Sequence, residues 1–148
     1  MDQHTLQLLN DVNRAIIKFR GLYSAWSAAY GISYNEMLVL YTIREHGFCT
    51  QKQICDSYLL PRQTMNHVII NLREKEILEI TPEHGVGREK AFVLTEKGRE
   101  YAEPLLENMN AFEKRAVELL GSEKLEVLTE LMLEYDQALH KALQEMEK

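Results

Sequence analysis

The sequence predicts a mainly α fold with one small β-hairpin near its centre, and three observations carry that prediction. Two tetrads, Ser33-Tyr34-Asn35-Glu36 and Thr50-Gln51-Lys52-Gln53, have capping-box form and mark helix starts. Apolar residues recur at steps of three and four over long stretches on both sides of the centre. Only Leu78-Glu79-Ile80-Thr81 and Lys90-Ala91-Phe92-Val93-Leu94-Thr95 read as strands, and the stretch between them carries Gly85 and Gly87 for a turn. Helix, tight turn, helix and hairpin from Thr50 to Gly98 is the order of a winged helix-turn-helix, here flanked by N- and C-terminal helices.

Leu8, Val12, Ile16, Phe19, Tyr23, Trp26 and Tyr30 form the apolar stripe of a first helix that Gly31 ends. A second helix opens at Ser33, runs through Met37, Leu38, Leu40, Tyr41 and Ile43, and closes at Gly47. The third starts at Thr50. After Tyr58-Leu59-Leu60, Pro61 suits a first helical position, where its missing N–H costs nothing, and Met65, Val68, Ile69 and Leu72 give a fourth helix one buried stripe. Behind the hairpin, Tyr101, Leu105, Met109, Phe112, Ala116 and Leu120 mark a long helix stopped by Gly121. Ser122 can cap a last helix, in which Leu125, Leu128, Met132, Tyr135, Leu139, Ala142 and Met146 alternate steps of three and four.

No repeat or Pro/Gly/Ser-rich linker interrupts the 148 residues, so residues 1–148 read as a single unit. Within it, 32–98 form the winged helix-turn-helix part, and 1–31 with 99–148 form a helical dimerisation part. The terminal helices carry more apolar surface than one small core needs. Packing of Leu125, Leu128, Met132, Tyr135 and Leu139 against a second copy is the expected use of it. The start has no basic and apolar leader pattern, and no apolar run approaches the roughly 20 residues that span a bilayer, so a soluble cytoplasmic protein is expected.

The net charge of −6 is unevenly spread. Residues 1–49 carry four basic and four acidic side chains, residues 50–100 eight of each, and residues 101–148 five basic against eleven acidic. The acidic excess therefore lies in the last third, and the hairpin region keeps enough cations to meet phosphate locally. Cys49 and Cys55 are badly placed for a mutual disulfide and read as reduced thiols. The five histidines show no metal-ligand spacing, no catalytic triad or phosphate loop is visible, and neither a cofactor nor an enzyme activity is expected.

Gly87-Arg88, five residues, then Leu94-Thr95-Glu96-Lys97-Gly98 resembles the end of the wing in the MarR family of bacterial transcriptional regulators, whose pattern is Asp-x-Arg, five residues and Leu-Thr-x-x-Gly. Arg88, Leu94, Thr95 and Gly98 match; the family's Asp position is Val86, and a position where the family usually has Gly is Glu76. The resemblance implies a homodimeric DNA-binding regulator, a repressor of a pseudo-palindromic operator relieved by a small-molecule effector. A winged-helix module that binds protein and never touches DNA is the alternative.

Within a helix-turn-helix the fourth helix is the reading helix; its outward side holds Gln63, His67, Ile70 and Glu74, flanked by Thr64, Asn66 and Asn71, and Glu74, which repels phosphate, tilts the helix's C-terminal half out of the groove. Amides bond adenine N6 and N7, and an exposed aliphatic suits a thymine methyl. Lys52, Arg62, Arg73 and Lys90 are expected on phosphates, with a guanine as the alternative for Arg62 near the helix start, and Arg88 at the wing tip in the adjacent minor groove. The resemblance also implies an effector crevice between the dimerisation helices and the winged motif, which Arg20, Tyr23, Trp26 and Tyr30 could line as an arginine among aromatic walls; position and spacing also explain these aromatics as dimer core without a ligand. Redox-sensing members use a cysteine near the N-terminal helix, and this chain has none before Cys49, which disfavours peroxide sensing of that type.

Overall fold

The computed structural model describes residues 1–147; Lys148 lies outside them. Among the described residues there are six helices and three strands: α1 (Gln3–Ala29), α2 (Tyr34–His46), β1 (Cys49–Thr50), α3 (Gln51–Tyr58), α4 (Arg62–Glu74), β2 (Leu78–Val86), β3 (Glu89–Leu94), α5 (Glu96–Leu120) and α6 (Ser122–Met146). The chain divides into two compact units, Met1–Leu106 and Glu107 onward, with the boundary inside α5.

The first unit is organised by the helix starts that the sequence marks. Ser33 and Thr50 both close full capping boxes, each accepting the amide three residues on while Glu36 and Gln53 reach back to the cap's own N–H. Gly31 and Gly47 take left-handed φ of 72° and 81° after the first two helices. Pro61 differs by one place from expectation: it is the cap residue ahead of α4, extended at φ −60° and ψ 136°, and Arg62 is the first helical residue. Ser122 differs likewise. Gly121 occupies the cap position of α6, no side chain caps it, and the Ser122 hydroxyl is already one place too far along.

The sheet is antiparallel in the order β1-β3-β2. The two-residue β1 pairs Cys49 with Phe92 and Thr50 with Ala91, an addition too short for any periodicity to announce. In the hairpin the register runs from Leu78 opposite Leu94 to Val86 opposite Glu89, with an irregularity between Thr81 and Val86. The strands therefore extend further than their apolar residues alone suggest, and the turn narrows to Gly87-Arg88, with Gly87 at φ 60°. Met37, Val39, Leu40 and Ile43 of α2, Ile54 of α3, Met65, Ile69 and Leu72 of α4, Ile77 just ahead of β2, and Leu78, Ala91 and Phe92 of the hairpin are buried. This core fixes the angle between α3 and α4.

One carboxylate ties α2 to the far end of α4. Glu36 is buried; it accepts the Ser33 amide at 2.8 Å, the Asn71 side-chain amide at 3.2 Å and Lys75 Nζ at 3.3 Å. Burial alone would raise its pKa, but the Ser33 hydrogen bonds and the Lys75 charge outweigh burial and hold it below the ordinary 4.5. A carboxyl depressed on folding adds stability that is fully present above its unfolded value and is lost as pH falls through its folded value. Glu36→Gln is therefore expected to cost about 1 to 2 kcal/mol at neutral pH and to flatten the fall of stability below pH 4.5, read by denaturant melts across pH.

The second unit holds the rest of α5 and all of α6. No residue of α6 is buried: Leu125 and Tyr135 are half-buried, and Leu128, Met132 and Leu139 are exposed, as are Val127, Leu131, Leu133 and Leu143.

Candidate nucleic-acid interface

The turn from α3 to α4 is short because Leu59 adopts a left-handed φ of 48° and both Leu59 and Leu60 return their amides to the Cys55 carbonyl. Pro61 then launches α4, whose Met65, Ile69 and Leu72 face the core. That leaves Arg62, Gln63, Asn66, His67, Ile70, Arg73 and Glu74 exposed, with Thr64 and Val68 half-buried. Gln63, Thr64, His67, Ile70, Asn71 and Glu74 line one side of an open groove of about 880 Å³, which Ser33, Glu36 and Pro61 help to bound. A solvated helix face of amides, one imidazole and one aliphatic offers donors, acceptors and a methyl-sized contact, the chemistry of a major-groove reader.

Not every polar residue of that face is available. The Asn71 amide is spent on Glu36, so it braces α4 against α2. Arg62 Nη2 donates to Glu89 Oε2 at 2.9 Å, across from the start of α4 to the start of β3. Lys52 Nζ pairs with Asp56 one turn along α3. Among the described residues Arg73, Arg88 and Lys90 make no ion pair, and all three are exposed.

Arg88 stands at the tip of the hairpin, in the two-residue turn. The wing is braced lower down by His84, whose ring stacks on Phe48 with centroids 4.1 Å apart and planes 9° apart. Its base is tied to the helices by Thr95: the hydroxyl donates to the Glu76 carbonyl at 2.6 Å and accepts the Gly98 amide at 2.8 Å. Glu76 itself sits at φ 59°, a left-handed conformation that suits the glycine usual at this position.

The aromatic residues of α1 form ring pairs, Tyr23 with Tyr34 at 5.8 Å and Trp26 with Tyr30 at 4.4 Å; Tyr23 and Trp26 are half-buried, and Tyr30 and Arg20 exposed. Cys49 is buried and its thiol is pushed up to about 12 by that burial, whereas Cys55 is half-buried. Among the described residues no three His, Cys, Asp or Glu side chains converge as a metal site, and no helix is long and apolar enough to cross a membrane.

Sequence reasoning missed Glu89, the Phe48–His84 stack and the bracing role of Asn71. Each joins residues distant in the chain, and no local spacing signals such a pair.

A helix-turn-helix whose second helix is exposed on one side, followed by a hairpin with an arginine at its tip, defines a winged helix-turn-helix protein. No family profile and no curated protein matches the chain. Solved structures do. NMB1585, a MarR family regulator from Neisseria meningitidis, is similar over 98% of this chain and 99% of its own, with a TM-score of 0.84 and 26% identity. MarR of Staphylococcus aureus, in complex with salicylate and kanamycin, covers 95% of this chain and is 95% covered, with a TM-score of 0.71 and 18% identity. Overoxidised AbfR bound to DNA covers 93% and is 99% covered, with a TM-score of 0.67 and 21% identity. In fold and wing motif the chain is similar to winged-helix transcriptional regulators of the MarR family.

Proposed function

We propose that this chain is a homodimeric, sequence-specific DNA-binding repressor that grips a pseudo-palindromic operator. In this reading 32–98 meet DNA, and 1–31 with 99–148 hold two copies together. The observation that carries it is the division of α4 into a buried side of Met65, Ile69 and Leu72 and a solvated side of Gln63, Asn66, His67 and Ile70, set beside an unpaired arginine at the wing tip. An isolated protein-docking module does not require that arginine.

Three further observations support the reading. The structure of AbfR is a complex with DNA, and this chain shares its fold. Apolar residues left uncovered on α1 (Leu8, Val12, Phe19) and on α6 (Leu128, Leu139, Leu143) are what a second copy would bury. Salicylate in the S. aureus MarR complex is an aromatic anion, and Arg20 with Tyr23, Trp26 and Tyr30 are the residues of this chain suited to such an effector. A small molecule that favours one spacing of the two α4 helices would then release the operator.

Arg88→Ala tests the wing. A wing arginine reads charge and groove width, so its removal is expected to weaken binding to all duplexes, by about 1 to 2 kcal/mol, with little change in base preference beyond an A·T bias. Titrations at several salt concentrations are expected to show a slope shallower by about one. Unchanged affinity and slope would place Arg88 outside the interface.

A further inference from the structure

Where α3, α4 and the wing meet, one carboxylate holds the arginine that α4 presents to solvent. Glu89 Oε1 accepts the Lys52 backbone amide at 2.9 Å, and Glu89 Oε2 accepts Arg62 Nη2 at 2.9 Å. The Lys52 amide belongs to the first turn of α3 and has no acceptor within its helix, so the carboxylate sits at a positive helix end that fixes its position. The Arg62 carbonyl accepts the Gln51 side-chain amide at 3.0 Å. Backbone and side chain of Arg62 are thus both held from outside α4. The Glu89 side chain is tucked in, 20% exposed, while the Arg62 side chain remains 67% exposed.

A free arginine beside DNA follows the nearest phosphate as a mobile charge. One held through a single Nη keeps the rest of its planar fork in a fixed orientation, and a fixed fork is what bidentate bonding to guanine O6 and N7 demands. A negative charge at this place also penalises close phosphate approach. It therefore weakens binding to every sequence alike and favours the duplex whose base edge repays it.

We propose that Glu89 is a positioning residue that makes Arg62 a guanine reader at the N-terminal end of the reading helix, in place of a phosphate anchor. The inference rests on the DNA-binding reading above. It adds to that reading one base identity, a guanine opposite the start of α4, and names the residue that enforces it.

The test uses the full-length protein and a duplex enriched from a random pool by the wild type. Affinities are measured for that duplex, for one with the guanines opposite α4 replaced, and for a non-specific duplex. Glu89→Gln keeps shape while removing charge. It is expected to lower discrimination against the guanine-replaced duplex about tenfold. Non-specific binding should be equal or tighter, with a salt slope steeper by about one as Arg62 turns to phosphate. In an Arg62→Ala background the same substitution should leave discrimination unchanged. Discrimination intact in Glu89→Gln, or reduced equally without Arg62, would overturn the inference. So would a parallel loss of specific and non-specific binding with a lower melting temperature, the mark of a purely structural tie. Failure of the wild type to enrich any duplex would instead overturn the DNA-binding reading, and the inference with it, before any variant is made.

Discussion

Gly98→Ala is expected to destabilise the protein by about 3 kcal/mol or more, although alanine is the better helix former. In the first turn of α5 an added Cβ at Gly98 would lie 2.1 Å from the Ile77 carbonyl oxygen and 3.0 Å from its carbon. Both are backbone atoms of the segment leading into the wing, held there by the Thr95 amide on the Ile77 carbonyl and the Thr95 hydroxyl on Glu76. They cannot yield without pulling β2 off β3. Alanine returns about 1 kcal/mol in helix propensity, which the clash exceeds. Thermal melts of the variant read the loss directly, and a melting temperature within a degree or two of wild type would mean that the α5 start is not clamped as described. The glycine of Leu-Thr-x-x-Gly is thus a contact requirement: helix α5 and the wing meet with no room for a side chain.

Charging α6 with Leu128→Glu and Leu139→Glu together is expected to give monomers. In the single chain these residues are 40% and 51% exposed, so glutamates there meet mostly water and should cost the isolated fold little. In a two-fold dimer each charge would be buried twice, without a partner, and association should weaken at least about 100-fold. Sedimentation reads the outcome, and circular dichroism at high concentration separates monomer from unfolded chain. A folded dimer from the double variant would remove α6 from the dimer contact.

Much of the fold was legible because its signals are local. Capping boxes at Ser33 and Thr50 and glycines at Gly31 and Gly47 each act within one turn of chain, and the helices start and stop where these residues place them. Local rules failed by single places at Pro61 and Ser122, where two adjacent residues could each serve as cap. They failed altogether for β1, two residues that become a strand only because β3 lies alongside. At the site, the amide face of α4 followed from helical spacing. The pairing of Arg62 with Glu89, 27 residues on, and the brace from Asn71 to Glu36, 35 residues back, did not. Their geometry is set by the core that brings α2, α4 and β3 together, and neither side chain carries a pattern of its own.

Selection of bound duplexes from a random pool by the purified protein tests most directly whether this is a DNA reader. The enriched sequences are expected to form an inverted repeat with half-sites about one helical turn apart. A·T pairs should lie under Gln63 and Asn66, and binding should be at least about 1,000-fold tighter than to unrelated DNA. Gln63→Ala or Asn66→Ala should each cost about 1 to 3 kcal/mol at one or two base positions and leave non-specific binding nearly intact. A pool that emerges unenriched, with equal affinity for every duplex, would contradict the assignment and leave the exposed face of α4 to a protein partner.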